Sequence, residues 1–370
     1  MSFQGPLLLQ VWGICMDWLV RFFSLFLIGV PGWLIFRAFR VPAAIMVGAM
    51  VSAAFFAVKG WMVPLPPVGS SLIFQVILGM FIGIRFTSQA GSELKSSLGV
   101  ALLAGVWWIS FPFGLGWIVS RWFDLALPTS VLGTVPGGIA EMSLLALSLN
   151  ADAALVALMQ FFRLSSVLIA MPVISSRINR SLESGIDKAP LQKKCSRAES
   201  RVKEVPKLRI GGAALTLFIA VTGGVLFYML RIPVGGFVGS MIFTAAAAGF
   251  GLPVCPLPLV LRHAGQLGLG ALIGLNATPE TLSTLAEMFL TILGTTATML
   301  GWGIILAFIV QRVTGWNLMT CLLATCPGGI TQLASIAEDL GADPLKVSLL
   351  HLVRLFTIFV VLPPLIKVLL

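Results

Sequence analysis

Residues 133–141, Gly-Thr-Val-Pro-Gly-Gly-Ile-Ala-Glu, and residues 324–332, Ala-Thr-Cys-Pro-Gly-Gly-Ile-Thr-Gln, are near copies of each other. Each places a proline and two glycines in the middle of a long apolar run. Proline removes a backbone donor and clashes with the preceding turn, and glycine permits conformations that other residues resist. In hydrocarbon the freed backbone groups have no water to bond, so such a break needs shielding by protein or a cavity to line. One break is also typical of a packing kink, whereas two breaks in corresponding halves indicate a transporter binding site.

The composition excludes a soluble protein. The chain of 370 residues is 58% hydrophobic and 10% charged, whereas typical soluble domains carry about 25% charged residues. Apolar stretches of bilayer-spanning length recur along nearly the whole chain. They are continuous rather than alternating, which is not the pattern of a membrane β-barrel. The sequence therefore predicts an all-α polytopic membrane protein, expected in the bacterial inner membrane.

The net charge of +10 is distributed as a topology signal. Residues 177–209 hold ten Lys and Arg residues against four acids, without an apolar period. The remaining basic residues flank apolar runs, as the positive-inside rule describes. We therefore expect a basic cytoplasmic linker over residues 176–209 and no direct contact with nucleic acid.

Apolar runs follow one another on both sides of this linker. Residues 5–22 mix Trp and Leu with Asp17 and Arg21, which predicts an interfacial segment or the start of a helix and argues against a cleaved signal peptide. The runs of the two halves are residues 23–38, 41–58, 68–86, 97–120, 128–149 and 152–175, then 211–230, 232–250, 259–276, 288–311, 319–340 and 344–369. The predicted domains are an N-terminal membrane repeat over residues 1–175, the linker, and a C-terminal membrane repeat over residues 210–370.

The second half repeats the first at a constant shift. Thr325 follows Thr134 by 191 positions, and Arg354 follows Arg163 by the same number. The shift is held without a gap for about 150 residues, from Gly32 and Gly223 to Pro172 and Pro363. This regularity indicates a tandem duplication, which is how many secondary transporters are built.

The broken run decides how the halves are related. If it crosses the membrane, each half has six spans and the halves are parallel; if it enters and returns as a hairpin, each half has five spans and the halves are inverted. With the linker inside, inversion places Arg37, Arg40, Arg85, Lys95 and Arg312 on the cytoplasmic side. The positive-inside rule favours inversion slightly.

Glu141 is the one carboxylate next to a broken tip. It lies in the first turn of the helix that restarts after Gly138, where the helix dipole favours an acid. It is therefore either a capping residue or a proton or cation site, since ionisable groups within spans are costly and usually functional. Gln332 replaces it in the second half, so only the first repeat has a titratable group at this position.

Two arginines follow the breaks. Arg163 has Gln160 three residues before it, and Arg354 has His351 at the same spacing, so each pair shares a helix face. A buried guanidinium needs a partner, and Glu141, the freed helix carbonyls or an anionic substrate could each serve. Asp152 and Asp343 are expected to be helix N-caps. The candidate substrate- or ion-binding residues are Thr134, Pro136, Gly137, Gly138, Glu141, Gln160, Arg163, Thr325, Pro327, Gly328, Gly329, Gln332, His351 and Arg354.

An enzymatic role is not expected. The two histidines, His263 and His351, have no Cys, His or carboxylate at ligand spacing, and the five cysteines are scattered. A zinc or copper centre would be undersupplied with ligands, and no phosphate loop or nucleophile elbow occurs in a suitable context. The sequence predicts no metal and no cofactor.

The duplicated Pro-Gly-Gly-Ile tips, with the Ala-Asp and Arg residues that follow each of them, resemble the bacterial integral-membrane AbrB family over both halves of the chain. Members are labelled as regulators or as ammonia monooxygenases, and neither label is a mechanism visible in these residues. The family is distinct from the short β-rich DNA-binding regulators that share its name. The resemblance implies the fold more strongly than the function.

The sequence favours a secondary transporter of a small solute, driven by protons or sodium. The alternative from the family label is a membrane protein that alters gene expression indirectly, without binding DNA. The expected partners are the lipid bilayer, the solute and a coupling cation, and a homodimer is compatible with the pattern.

Overall fold

A computed structural model describes residues 5–39, 41, 43–61, 66–67, 69–86, 98–167, 210–232, 234–255, 257–328, 337 and 342–369. These residues form helices and connecting turns, and no strand occurs among them. The linker at 176–209, Gly329 and Gln332 lie outside the described residues.

The first-half helices are α1 (Gly5–Ala38), α2 (Ala44–Val58), α3 (Ser70–Gly83), α4 (Leu98–Phe123), α5 (Leu127–Thr134), α6 (Ile139–Ser148) and α7 (Ala153–Val167). The second-half helices are α8 (Ile210–Met229), α9 (Gly235–Gly249), α10 (Leu259–Gly274), α11 (Pro279–Thr314), α12 (Leu318–Thr325) and α13 (Pro344–Leu369).

The helices agree with the predicted apolar runs over the described residues, apart from two differences in where a helix begins. The runs 152–175 and 319–340 extend beyond the described residues. The segment 5–22 is continuous with the next run in α1, which passes through Pro31 without ending. Helix α11 begins before residue 288, because Thr278 and Thr281 form a capping box at its start.

Within the described part of the chain, five helices are long and apolar enough to cross a membrane by length and composition, namely α1, α4, α8, α11 and α13. Only 17% of the apolar stretch of α1 is buried within the protein, whereas 61% of the apolar stretch of α13 is buried. Apolar side chains that the protein leaves exposed, such as Leu27 and Leu290, suit a lipid environment. The chain is therefore a multi-pass membrane protein in which α13 lies inside and α1 at the periphery.

Helices α1–α3 and α8–α10 form one bundle, which we call the crossed bundle. Each half contributes a packed pair, α1 with α2 and α8 with α9, and the halves join where α2 packs on α10 and α3 on α9. The pairs meet at glycines: a Cβ atom on Gly48 would lie 2.5 Å from the Gly32 carbonyl oxygen, and one on Gly223 would lie 2.6 Å from that of Gly239. Small residues at these positions let the backbones approach closely.

The remaining helices form a second bundle, the hairpin bundle. Helix α4 packs on α5, α11 on α12, and α13 on both α4 and α12. Phe111 stacks on Trp302 with ring centroids 4.3 Å apart, and these two residues are equivalent in the two repeats. A residue that contacts its own counterpart lies on the symmetry axis, and the reciprocal contacts of the crossed bundle agree with a two-fold relation between the repeats.

Candidate functional site

The first Pro-Gly-Gly segment interrupts a helical run, and α12 ends just before the second segment. Helix α5 ends at Thr134, the backbone is extended at Val135 (φ −63°, ψ 130°) and at Gly138 (φ −82°, ψ 154°), and α6 starts at Ile139. Cys326, after α12, is extended in the same way (φ −68°, ψ 137°). Gly138 therefore has an ordinary backbone conformation. Its missing side chain provides space instead, because a Cβ atom would lie 2.7 Å from the Glu141 carboxyl carbon.

The two ends of each broken run meet. The Asp152 backbone N–H, beyond the end of α6, donates to Thr129 Oγ1 in the first turn of α5 over 3.1 Å. The Asp343 N–H donates to Thr320 Oγ1 over 3.0 Å at the equivalent place in the second repeat. The two ends of the segment 129–152 are therefore adjacent, and the segment forms a hairpin with Pro136-Gly137-Gly138 at its tip. The Asp152 carboxylate also accepts from the Leu155 N–H, which is the capping role predicted for it.

The two buried arginines bind the carbonyls that the breaks set free. Arg163 donates from Nη1 to the Thr134 carbonyl oxygen over 2.9 Å. Arg354 donates to the carbonyl oxygens of Cys326 (2.9 Å) and Gly328 (2.8 Å). Of the three partners that the sequence left open for these arginines, the helix carbonyls are the ones observed at hydrogen-bond distance.

Thr134 and Thr325 tie the tips to the long helices. The Thr134 hydroxyl lies 3.0 Å from the Pro112 carbonyl oxygen of α4, and the Thr325 hydroxyl lies 2.9 Å from that of Gly303 in α11. Both threonines are buried, and their hydroxyls contact backbone carbonyls.

Gln160 and His351 are equivalent in sequence and differ in their contacts. Gln160 Nε2 donates to the carbonyl oxygens of Leu132 (2.7 Å) and Val135 (2.9 Å), and its Oε1 accepts from Arg163. His351 Nδ1 lies 2.9 Å from the Val347 carbonyl oxygen of its own helix. The fully buried His351 Nε2 makes no hydrogen bond of good geometry with the described residues.

A cavity of about 530 Å³ lies between the two bundles. The crossed bundle contributes Trp33, Arg37, Arg85, Arg262, His263 and Gln266 to its wall, and the hairpin bundle contributes Gly138, Glu141, Gly328 and Arg354. Apolar side chains that include Met46, Phe81, Ile82 and Leu355 line the rest. Its volume and its mixed lining are those of a small-molecule site.

Glu141 faces this cavity from the start of α6. It is half-buried, and its carboxylate folds back over Gly138 at the helix N-terminus. The charges that act on it most strongly are those of Arg262, Arg85 and Arg354. Its cationic neighbours thus come from the crossed bundle and from α13. Arg163, which sequence reasoning had named as a partner for Glu141, binds the carbonyls of its own hairpin instead.

Three of the four arginines that line the cavity have uncharged equivalents in the other repeat. The residues equivalent to Arg37, Arg85 and Arg262 are Tyr228, Asn276 and Ser71. The pocket beside Arg163 is only about 10 Å³, room for about one water molecule. The positive charge of the cavity wall is therefore not repeated at the equivalent positions of the sequence.

The structure brings Gly138, Glu141, Gly328 and Arg354 together at the cavity. It buries Thr134, Gln160, Arg163, Thr325 and His351 behind the tips, where Gln160 and Arg163 bind the backbone of the first break. Pro136, Gly137 and Pro327 form the tips themselves.

Sequence reasoning missed Arg37, Arg85, Arg262, His263 and Gln266 as lining residues. It treated Arg37 and Arg85 as topology signals alone, because each follows an apolar run. A comparison of the two halves at the shift of 191 would have found the arginines, since their counterparts carry no charge.

Comparison with known proteins agrees with the duplication. A family model described as "Transition state regulatory protein AbrB" matches the chain twice, over residues 5–179 and 186–370. The chain is 27% identical over 334 residues to "Putative regulator AbrB" of Escherichia coli strain K12, a match that covers 89% of this chain and 90% of that protein. It is 26% identical over 302 residues to "Uncharacterized protein YhjN" of Bacillus subtilis strain 168, covering 78% of this chain and 76% of that protein.

Proposed function

We propose that this chain, which belongs to the AbrB family, is a secondary transporter of a small solute. The observation that carries the proposal is the convergence of two broken hairpins on one polar cavity between two helix bundles. Gly138 from the first hairpin and Gly328 from the second both line this cavity. Discontinuous helices that present backbone groups to a shared site are the usual construction of transporter binding sites.

The division into two bundles provides a means of alternating access. The wall of the cavity is shared between them, with Arg37, Arg85 and Arg262 on one side and Glu141 and Arg354 on the other. Displacement of one bundle against the other would change this wall while each hairpin keeps its own hydrogen bonds to Arg163 or Arg354. Such rocking of one unit past another around a fixed site is how repeat-built transporters work.

An inverted relation of the repeats is part of the proposal. The meeting of Thr129 with Asp152 favours a re-entrant segment, and hence five spans in each half. The position of Arg262 supports this independently. With the linker inside, inversion brings Arg37, Arg85 and Arg262 to the cytoplasmic side, whereas a parallel arrangement would separate Arg262 from the other two across the membrane. All three line one cavity.

Transport can be tested on the purified full-length protein. A solute screen by thermal stabilisation identifies candidates, because a ligand that binds only the folded state raises the unfolding temperature. Each candidate is then offered to proteoliposomes with and without an imposed pH or sodium gradient. We expect protein-dependent uptake that is saturable and that a gradient drives above equilibrium. Stabilising solutes that never cross the membrane would contradict transport.

The name of the Escherichia coli relative favours a second candidate, a regulator. In this candidate the chain would influence gene expression through the solute that it moves, since no DNA-binding element was expected from its sequence. Gene expression in a cell that carries a transport-inactive variant distinguishes regulation through transport from direct regulation. Regulation that survives the loss of transport would favour a direct regulatory role.

A further inference from the structure

We propose that the cavity binds a small organic anion, with a carboxylate, phosphate or phosphonate group held by Arg85, Arg262 and Arg354 and an apolar body against Met46, Phe81 and Ile82. This inference rests on the proposed function and names its substrate class. It is carried by the charge of the cavity, by an incompletely satisfied arginine and by the apolar part of the wall.

The charge of the cavity favours an anion. Four arginines and one glutamate line it among the described residues, a formal excess of three positive charges with His263 neutral. In the part of the chain that the structure describes, no carboxylate lies within 4.0 Å of the Arg37, Arg85 or Arg262 guanidinium groups. Like charges gathered around one cavity repel one another, and a bound anion would offset this repulsion. Arg85 lies close enough to Arg262 for their charges to interact.

Arg354 has hydrogen-bonding capacity left for a ligand. It is 3% exposed, and two of its donors, on Nη1 and Nη2, bind the carbonyls of Cys326 and Gly328. Its Nε–H has no partner among the described residues. A guanidinium carries five N–H donors, so Arg354 can hold the hairpin tip and a bound anion at once. Arg354 would therefore connect a bound ligand directly to the tip of the second broken run.

The start of α6 adds a weaker attraction for an anion. Helix α6 spans ten residues and begins at Ile139 on the cavity wall, so its N-terminal dipole points there. Glu141 occupies this position in the structure and faces the same arginines. The substrate anion and the Glu141 carboxylate therefore compete for Arg85, Arg262 and Arg354.

The size and the apolar wall of the cavity favour an organic anion over a bare inorganic ion. A cavity of about 530 Å³ is far larger than a phosphate or sulfate ion needs. Burial of an apolar body against Phe81 and Ile82 adds favourable free energy in proportion to its area. The planar fork of arginine matches carboxylate and phosphate oxygens, which makes these head groups the preferred ones.

The test compares anions with uncharged analogues of the same shape. Hexanoate, benzoate and phenylphosphonate are added to the full-length protein in a neutral detergent, alongside hexanamide and benzamide, and thermal unfolding is followed by tryptophan fluorescence. We expect stabilisation by at least one anion, weakened by salt, and none by the amides. Stabilisation by none of the anions, or equally by the amides, would overturn the inference.

Substitutions assign the binding to the cavity. We expect R262Q and R85Q to weaken anion binding by roughly 10- to 100-fold, the range for loss of a charged hydrogen bond. R121Q is the matched control, because Arg121 lies over the Trp117 ring at the end of α4, outside the cavity wall. R85K and R262K, which keep the charge, serve where the glutamine variants fold poorly, and intermediate losses are expected for them. Unchanged binding in folded variants at both positions would contradict the assignment.

An anionic lipid headgroup offers the same chemistry as a soluble anion. Short-chain phosphatidic acid is therefore tested in parallel, and stabilisation by this lipid without any soluble anion would overturn the substrate inference. The outcomes also separate this inference from transport itself. An anion that binds but is not moved would refute transport alone, whereas gradient-driven uptake of an amide or a cation, with no anion binding, would refute the anion site alone.

Discussion

At the scale of single residues, the hydrogen bonds separate two kinds of buried polar group. Gln160 and Arg163 satisfy the carbonyls of the first break, and their role is the integrity of the hairpin. Glu141 has no comparable set of partners and faces the charged cavity instead. In the first repeat, the residues that hold the broken backbone are therefore distinct from the carboxylate that faces the cavity.

Replacement of Glu141 by Gln should leave folding intact and abolish gradient-driven accumulation. The loss of a charge at a helix N-terminus costs about 1 kcal/mol or less. The amide cannot exchange a proton or bind a cation beside Arg37, Arg85, Arg262, His263 and Arg354, which line the same cavity. Proteoliposome uptake under an imposed pH or sodium gradient measures the effect. E280Q is the control, since Glu280 is an exposed acid in the first turn of α11. Accumulation that is unchanged in E141Q would identify Glu141 as a helix cap alone.

Substitutions at the equivalent positions Gln160 and His351 should have different effects on stability. Q160A leaves the buried carbonyls of Leu132 and Val135 without their partner, which should lower the free energy of unfolding by about 1–3 kcal/mol. H351Q gives the second repeat the residue of the first, so stability should be unchanged or higher. Thermal unfolding in detergent compares the two. A larger loss in H351Q than in Q160A would show that the imidazole has an essential partner.

At the scale of elements, the hairpins owe their stability to local pairs rather than to helix length. Helix α5 has eight residues and α6 has ten, which corresponds to about 12 Å and 15 Å. Neither half could cross a hydrocarbon core of about 30 Å. The hydrogen bond between Thr129 and Asp152 joins the ends, and Arg163 holds the tip.

The close packing of glycines in the crossed bundle predicts that a single added methyl group lowers the stability of the protein. G48A places a Cβ atom 2.5 Å from the Gly32 carbonyl oxygen, so α1 and α2 must separate. We expect a loss of about 1–3 kcal/mol, the usual range for overpacking. G114A is the control, because a Cβ atom on Gly114 in α4 meets nothing within 4 Å. Thermal unfolding should show G114A unchanged or stabilised through helix propensity. Equal midpoints for G48A and the unmodified protein would contradict this packing.

At the scale of the whole molecule, the open cavity fits one conformation of the proposed transport cycle. The cavity is on the side that carries Arg37, Arg85 and Arg262, which the proposed topology assigns to the cytoplasm. We therefore expect it to be accessible from the cytoplasm and its symmetry-related counterpart to be closed.

Cysteine labelling tests this orientation with a control supplied by the repeat. Gln266 lines the cavity, and its counterpart Gln75 is 9% exposed. In a variant without the five native cysteines, Q266C should react with a membrane-impermeant thiol reagent from the cytoplasmic face. Q75C should be protected under the same conditions. Labelling of Q266C from the periplasmic face alone would reverse the topology.

The sequence by itself determined the membrane class, the duplication, the positions of the breaks and the caps at Asp152 and Asp343. These properties are local: hydropathy accumulates over one segment, and a proline or a cap acts within a turn. The spacing of Arg163 and Arg354 after the breaks also indicated their carbonyl partners, though not uniquely. Tertiary structure alone decided which arginines face Glu141, because Arg85, Arg262 and Arg354 come from three helices in different parts of the chain. Helices with similar apolar surfaces carry little information about their neighbours in a membrane, where close packing of small residues selects the partner.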